Sequence, residues 1–158
     1  MIDRDIVQIT PDDWALFRDI RLRALADAPG AFGSRFDDWV DEPESSWRGR
    51  LENVELNLVA RHGDEAVGMA SGSLDGDDAA LISMWVDPVA RGTGTAQALI
   101  EAVVGWARGL ERTTYLMVRS DNPRAIATYE RAGFVDLGVP DDHDGPPENR
   151  MVHRSDAR

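Results

Sequence analysis

The chain has 158 residues, 42% hydrophobic and 29% charged, with a formal net charge of −12 and no cysteine. That length suits a single domain spanning residues 1–158 with a sizeable core, and no apolar run approaches the roughly 20 residues a membrane span requires. The negative field repels nucleic-acid phosphates and anionic membrane surfaces, so neither nucleic acid nor membrane is an expected partner.

The opening stretch MIDRDIVQIT lacks the basic start and apolar run of a signal peptide, and no disulfide framework exists, so a cytoplasmic location is expected. TPDD then reads as a helix start, with Thr10 at the N-cap and Pro11 at the first helical position. Trp14, Phe17, Ile20, Leu22 and Leu25 predict an amphipathic helix that stops at DAPG. The segment AFGSRFDDWVDEPESSWRGRL reads as a loop and a shorter helix; Phe32, Phe36, Trp39 and Trp47 give it more aromatic surface than a linker needs, as core packing or as the wall of a cleft.

Glu55 to Arg61 and Ala66 to Leu74 read as strands joined by the hairpin turn HGDE; DGDD turns the chain again into a third strand, Ala79 to Val86. A long helix reaches about Leu110, and Thr113 to Val118 is apolar and partly β-branched, as in a buried strand. Asn122 caps a helix from Pro123 to Ala132, with Gly133 as its left-handed stop. Phe134 to Val139 and Arg150 to Val152 are the last expected strands. Strands on both sides of helical crossovers imply a mixed sheet covered by helices.

The stretch VDPVARGTGTAQALIEAV (Val86 to Val103) carries the most chemistry. It is neither a Walker loop, since no Lys follows Gly94, nor a dinucleotide fingerprint, since Gln97 stands where a third small residue is needed. Gly92 and Gly94 let the backbone approach a ligand closely, Arg91 adds a charged fork of donors, and the amides from Gly92 to Gln97 gather at a helix start. An anion site and a plain strand-to-helix turn both fit this loop. The three histidines, His62, His143 and His153, match no metal-site spacing and read as solvated.

Taken together, VDPVARGTGTA and SDNPRAIATYERAGF resemble the GNAT N-acetyltransferase superfamily over about Leu56 to Phe134. The family pattern of Arg or Gln, two residues, Gly, one residue, Gly or Ala falls on Arg91, Gly94 and Ala96. The resemblance implies an α/β (α+β) GNAT fold: a mixed, mostly antiparallel sheet of six to seven strands flanked by four helices, with splayed fourth and fifth strands. It implies acetyl-CoA as cosubstrate, its pyrophosphate on Arg91, Gly92, Thr93, Gly94, Thr95, Ala96 and Gln97. Its pantetheine arm would lie beside Met84, Trp85, Val86 and Asn122, although the Trp85 side chain itself reads as core. Tyr129 would donate to the leaving thiolate; a phenol of pKa about 10 suits a thiol of about 8.5.

With no Cys and no GxSxG elbow, direct attack by an amine fits better than a covalent enzyme intermediate. The general base is unassigned, Asp75, Asp77, Asp78 and Glu55 being candidates through water. Some relatives that acetylate ribosomal-protein N-termini carry a Glu where this chain has Met117, a departure that speaks against that substrate class. The reading is therefore an N-acetyltransferase for the primary amine of a small or amino-acid-like acceptor, held near Phe32, Phe36 and Trp39. Alternatives are a protein lysine or N-terminal acetyltransferase and a non-catalytic acyl-CoA sensor. No metal is expected, and a homodimer is an assembly common in the family.

Overall fold

The computed structural model describes residues 5–29 and 35–154. Its seven strands form one sheet in the order β1-β2-β3-β4-β5-β7-β6: β1 (Asp5–Gln8), β2 (Leu56–His62), β3 (Glu65–Asp75), β4 (Asp78–Val86), β5 (Thr113–Arg119), β6 (Phe134–Asp136) and β7 (Glu148–His153). Five α-helices accompany it: α1 (Trp14–Asp27), the one-turn α2 (Phe36–Trp39), α3 (Glu44–Asn53), α4 (Thr95–Gly109) and α5 (Pro123–Arg131). Every neighbouring pair of strands is antiparallel except β4 and β5, which are parallel. Strand β1 was not among the expected elements, and β6 is shorter than its expected span because Gly138 turns away with φ +79°. Among the described residues no helix is long and apolar enough to cross a membrane.

Local chemistry accounts for the helix boundaries. Thr10 Oγ1 accepts from the Asp12 amide at 3.3 Å while Asp13 Oδ2 accepts from the Thr10 amide at 2.9 Å, a reciprocal cap that opens a 3₁₀ turn leading into α1. Asn122 Oδ1 accepts from the Ala125 amide at 3.2 Å and starts α5. The α4 stripe Leu99, Ile100, Val103, Val104 and Ala107 is buried on the sheet. Each fully buried aliphatic side chain of this kind contributes about 1.5–3 kcal/mol.

The sheet is covered on both faces because β2 alternates. Leu56, Leu58 and Ala60 pack under α4, whereas Val59 joins Phe17, Ile20, Trp47, Leu51, Met69 and Trp85 under α1 and α3. Gly72 brings β3 close to α4: a Cβ there would lie 2.6 Å from Trp106 Cζ3, in a rigid ring. Gly72→Ala is expected to lower the unfolding free energy by about 1–3 kcal/mol in urea titrations. Gly49→Ala, where nothing lies within 4 Å, should be neutral or slightly stabilising.

Candidate active site

The site begins where the sheet opens. β4 and β5 pair only through Asp78↔Thr113, Ala79↔Thr114 and Ala80↔Tyr115, and beyond those residues the strands part. On its other side β4 carries a bulge, since Met69 faces Trp85 but Ser71 faces Ile82, leaving one extra residue on β4. Ser83 sits there with φ +56°, a conformation that costs a non-glycine residue about 1–3 kcal/mol and bends the strand away from its neighbour. Arg50 steadies it through a hydrogen bond from Nη2 to Ser83 Oγ at 3.1 Å.

Two cavities occupy the opening. The larger, about 620 Å³, is lined by Met84, Trp85, Val86, Arg91, Gly92, Gly94, Ala96 and Gln97 and, from α5, by Asn122, Arg124, Ala125, Thr128, Tyr129 and Arg131, among others. The smaller, about 330 Å³, lies between Leu81 to Met84 and Tyr115 to Arg119, with Arg21 and Glu148 in its wall. Met84, Asn122, Ala125 and Tyr129 line both cavities, so the two meet at the Tyr129 ring.

At the far end of the larger cavity the turn has the form an anion needs. Gly92 and Gly94 have φ +80° and +85°, and Gly94 is the N-cap of α4. Amides of the first helical turn have no intrahelical acceptor there, and the positive end of the helix dipole coincides with them. A Cβ at Gly92 would meet nothing within 4 Å, so the approach is open. Thr93 and Thr95 do not line the cavity: their hydroxyls lie 2.8 Å apart, Thr93 Oγ1 also donates to the Ala90 carbonyl, and Thr95 is buried. Arg91 is less available than its sequence position suggests, because Nε donates to the Val86 carbonyl at 3.0 Å and Nη2 pairs with Asp27 at 2.8 Å. Arg124 and Arg131, two further cations on this cavity wall, escaped the sequence reading; both lie on the α5 stretch that carries Thr128 and Tyr129.

Asp27 ties α1 to this turn. The Trp85 indole N–H donates to it at 3.0 Å, and this bond, with the Arg91 pair, holds its carboxyl below the ordinary carboxylate range. A carboxyl lowered on folding contributes stability above its unfolded pKa and loses it as pH falls through the folded one. Unfolding midpoints measured on acidification should therefore fall more steeply for the wild type than for Asp27→Asn. The Trp85 side chain is itself buried in the α1 and α3 core.

Tyr129 stacks edge-on against Phe134, with ring centroids 5.9 Å apart, and its hydroxyl makes no hydrogen bond to the described residues. Burial pushes the phenol up to about 12, so it stays protonated at neutral pH and is available as a donor. Gln97 Nε2 donates to the Thr128 carbonyl at 3.2 Å and fixes α5 against α4.

Other expected residues lie elsewhere. Neither Phe36 nor Trp39 lines either cavity; Trp39 packs on Trp47 with centroids 4.9 Å apart, and Phe32 falls outside the described residues. The carboxylates considered as bases line neither cavity. Asp75 accepts from the Tyr115 hydroxyl, Asp78 lies 3.6 Å from Arg150, and Glu55 accepts from the Leu74 amide at 2.8 Å. Asp77 lines neither cavity. Glu148 is the carboxylate that does line the smaller one, 3.6 Å from His143 Nε2. None of the three histidines is simply solvated: His62 Nε2 is buried, His143 contacts the Pro146 carbonyl at 2.7 Å, and His153 contacts the Ala132 carbonyl at 3.0 Å. No group of three or more metal-ligating side chains occurs among the described residues.

Comparison with known proteins gives this geometry a context. A family model described as the acetyltransferase (GNAT) family matches residues 15–134. An acetyltransferase of Sodalis glossinidius is 37% identical over 98 residues, covering 61% of this chain and 68% of that protein. The N-alpha-acetyltransferase RimI of Mycobacterium tuberculosis is 34% identical over 108 residues, 65% of each chain. The PaiA N-acetyltransferase of Thermoplasma acidophilum, solved in complex with coenzyme A, superposes with a TM-score of 0.77 at 15% identity, over 96% of this chain and 99% of that one.

Proposed function

Since the chain belongs to the GNAT acetyltransferase family, we propose that its cleft carries acetyl-CoA in the larger cavity and an amine acceptor in the smaller one. The reaction is transfer of acetyl to a primary amine of a small or amino-acid-like molecule. The observation that carries this reading is the meeting of the two cavities at Tyr129, with the Gly94 turn at the other end of the larger one.

The residues fit the ligand. Amides from Gly92 to Gln97 would hold the diphosphate, while Arg124 and Arg131 add positive charge along the same wall. Met84 to Val86 lie beyond the β4–β5 pairing, so their backbone groups on that edge can bond an extended arm as a neighbouring strand would. When bound, acetyl-CoA supplies an activated thioester: the amine nitrogen attacks the carbonyl carbon, the C–N bond forms as the C–S bond breaks, and the departing sulfur takes a proton. Tyr129 gives that proton, because its phenol is neutral and the hydrogen bond strengthens as the sulfur gains charge. Glu148, through water, takes the proton the amine loses.

Calorimetric titration should show saturable acetyl-CoA binding, and thiol release should depend on an added amine. No binding would overturn the reading; binding without turnover of any amine or peptide would favour an acyl-CoA sensor. A second acceptor reading, the α-amine of a protein N-terminus, draws support from the likeness to the mycobacterial N-alpha-acetyltransferase. Acetylation of peptides with small amines inert would establish it.

A further inference from the structure

Arg50, on α3, lines neither cavity, yet its guanidinium ties three neighbouring strands together at the level where the sheet opens. Nη1 donates to Asn57 Oδ1 on β2 at 2.9 Å, and Nη2 donates to Ser71 Oγ on β3 at 3.3 Å and to Ser83 Oγ on β4 at 3.1 Å. Ser71 Oγ donates in turn to Asn57 Oδ1 at 2.9 Å. Asn57 Nδ2 donates to the Leu51 and Val54 carbonyls at 3.3 and 3.0 Å, which joins the row to the end of α3. The Phe17 ring flanks the guanidinium at 5.2 Å.

Asn57 and Ser71 are buried, on a face otherwise built from apolar residues such as Phe17, Ile20, Val59 and Met69. A buried polar row is costly unless each member is hydrogen-bonded, so it favours the one strand register that satisfies it. Asn57 stands directly opposite Ser71, and Ser83 lies in the stretch where β4 holds its extra residue, between the Ser71–Ile82 and Met69–Trp85 pairs. Sliding β4 by one position would present Ile82 or Met84 to Arg50, and neither side chain has an oxygen to offer. The Ser83 hydroxyl therefore selects where the strand bulges.

That place matters to the chemistry. Ser83 is followed by Met84, which lines both cavities where they meet at Tyr129. Beyond it Trp85 and Val86 are held to β3 opposite Met69 and Gly68. A shift at Ser83 would thus move Met84 relative to Tyr129 and leave the Gly92 to Gln97 turn in place. Burial lowers the Arg50 guanidinium to about 10, and the Arg21 charge adds to the lowering, so its donors are all present at neutral pH.

We propose that Arg50 is a positioning residue for the transfer reaction: through Ser83 it holds the β4 bulge, and with it the Met84 main chain, in the alignment that brings thioester and amine together at Tyr129. This rests on the acetyltransferase reading of the cleft and adds to it a residue of α3 outside both cavities. Its removal should act on kcat, because misplacing reacting groups by about 1 Å can cost on the order of 100-fold, whereas the diphosphate contacts lie elsewhere.

The test measures amine-dependent thiol release, with the best acceptor from a panel of alkylamines, amino acids and peptides, together with calorimetric Kd for acetyl-CoA and stability in urea. Arg50→Met should lower kcat by about 10- to 100-fold with Kd for acetyl-CoA little changed, and Arg50→Lys, which keeps a charged donor, should recover part of the loss. Ser83→Gly accepts the positive φ without strain, so its loss of kcat at retained stability separates alignment from folding. The double variant should be no slower than Arg50→Met alone. Val103→Ala, which hollows the core under α4, should lose stability but keep kcat. Unchanged kcat in Ser83→Gly or in a folded Arg50 variant, losses that add in the double variant, or an equal loss in Val103→Ala would overturn the proposal while leaving the transferase reading intact. A wild type that fails to bind acetyl-CoA, or binds it and turns over no amine, would overturn both.

Discussion

Tyr129→Phe is expected to lower amine-dependent thiol release by roughly 10²–10⁴-fold, the range for loss of one positioned proton donor. Affinity for acetyl-CoA should change little. The distinction follows from geometry: the ring packs on Phe134 at 5.9 Å and lines both cavities, and Phe keeps both features. Only the hydroxyl disappears. Because burial holds the phenol at about 12, the wild type should show no loss of the donor below about pH 10, and the basic limb of its kcat profile should disappear in the variant. Stopped assays of kcat and KM across pH, with calorimetric Kd for acetyl-CoA, check both parts. An unchanged kcat would remove Tyr129 from the reaction.

Gly94→Val should instead abolish cofactor binding. Gly94 has φ +85° at the N-cap of α4, a region that costs an L-residue about 1–2 kcal/mol and a β-branched one more. The turn would have to leave that conformation, turning the amides away, and the added methyls would occupy the approach to the helix start. Kd for acetyl-CoA should rise by about 100-fold or more, the loss of two or so charge-assisted hydrogen bonds. Circular dichroism should show the helices retained, since the core stripe of α4 from Leu99 to Ala107 is untouched. Retained affinity in a folded Gly94→Val protein would place the diphosphate elsewhere.

How much of this was legible in the sequence depended on how local the physics is. The Gly94 turn, the Asn122 cap and the helix carrying Tyr129 are set by residues within a few positions of one another, and the sequence pattern located them closely. Strand β1 escaped because four residues with a single inward pair, Ile6 and Val7, show no resolvable alternation. The positive wall of the smaller cavity was invisible for another reason. Neither Arg21 nor Arg50 carries a local motif, and only long-range packing brings Arg21 to this cavity and Arg50 to Ser83, 33 residues beyond it in the chain. Glu148 was hidden in a Pro- and Gly-rich stretch that reads as loop, although it begins β7 opposite Arg119. The aromatic residues Phe36 and Trp39 drew attention as a cleft wall, yet Trp39 spends its surface on Trp47, which is fully buried.

A crystal structure of the protein with coenzyme A tests the central claim most directly. The account predicts the diphosphate within hydrogen-bond distance of the amides between Gly92 and Gln97, the arm along Met84 to Val86, and the sulfur beside the Tyr129 hydroxyl. Coenzyme A bound outside the β4–β5 opening, or with its sulfur remote from Tyr129, would contradict it.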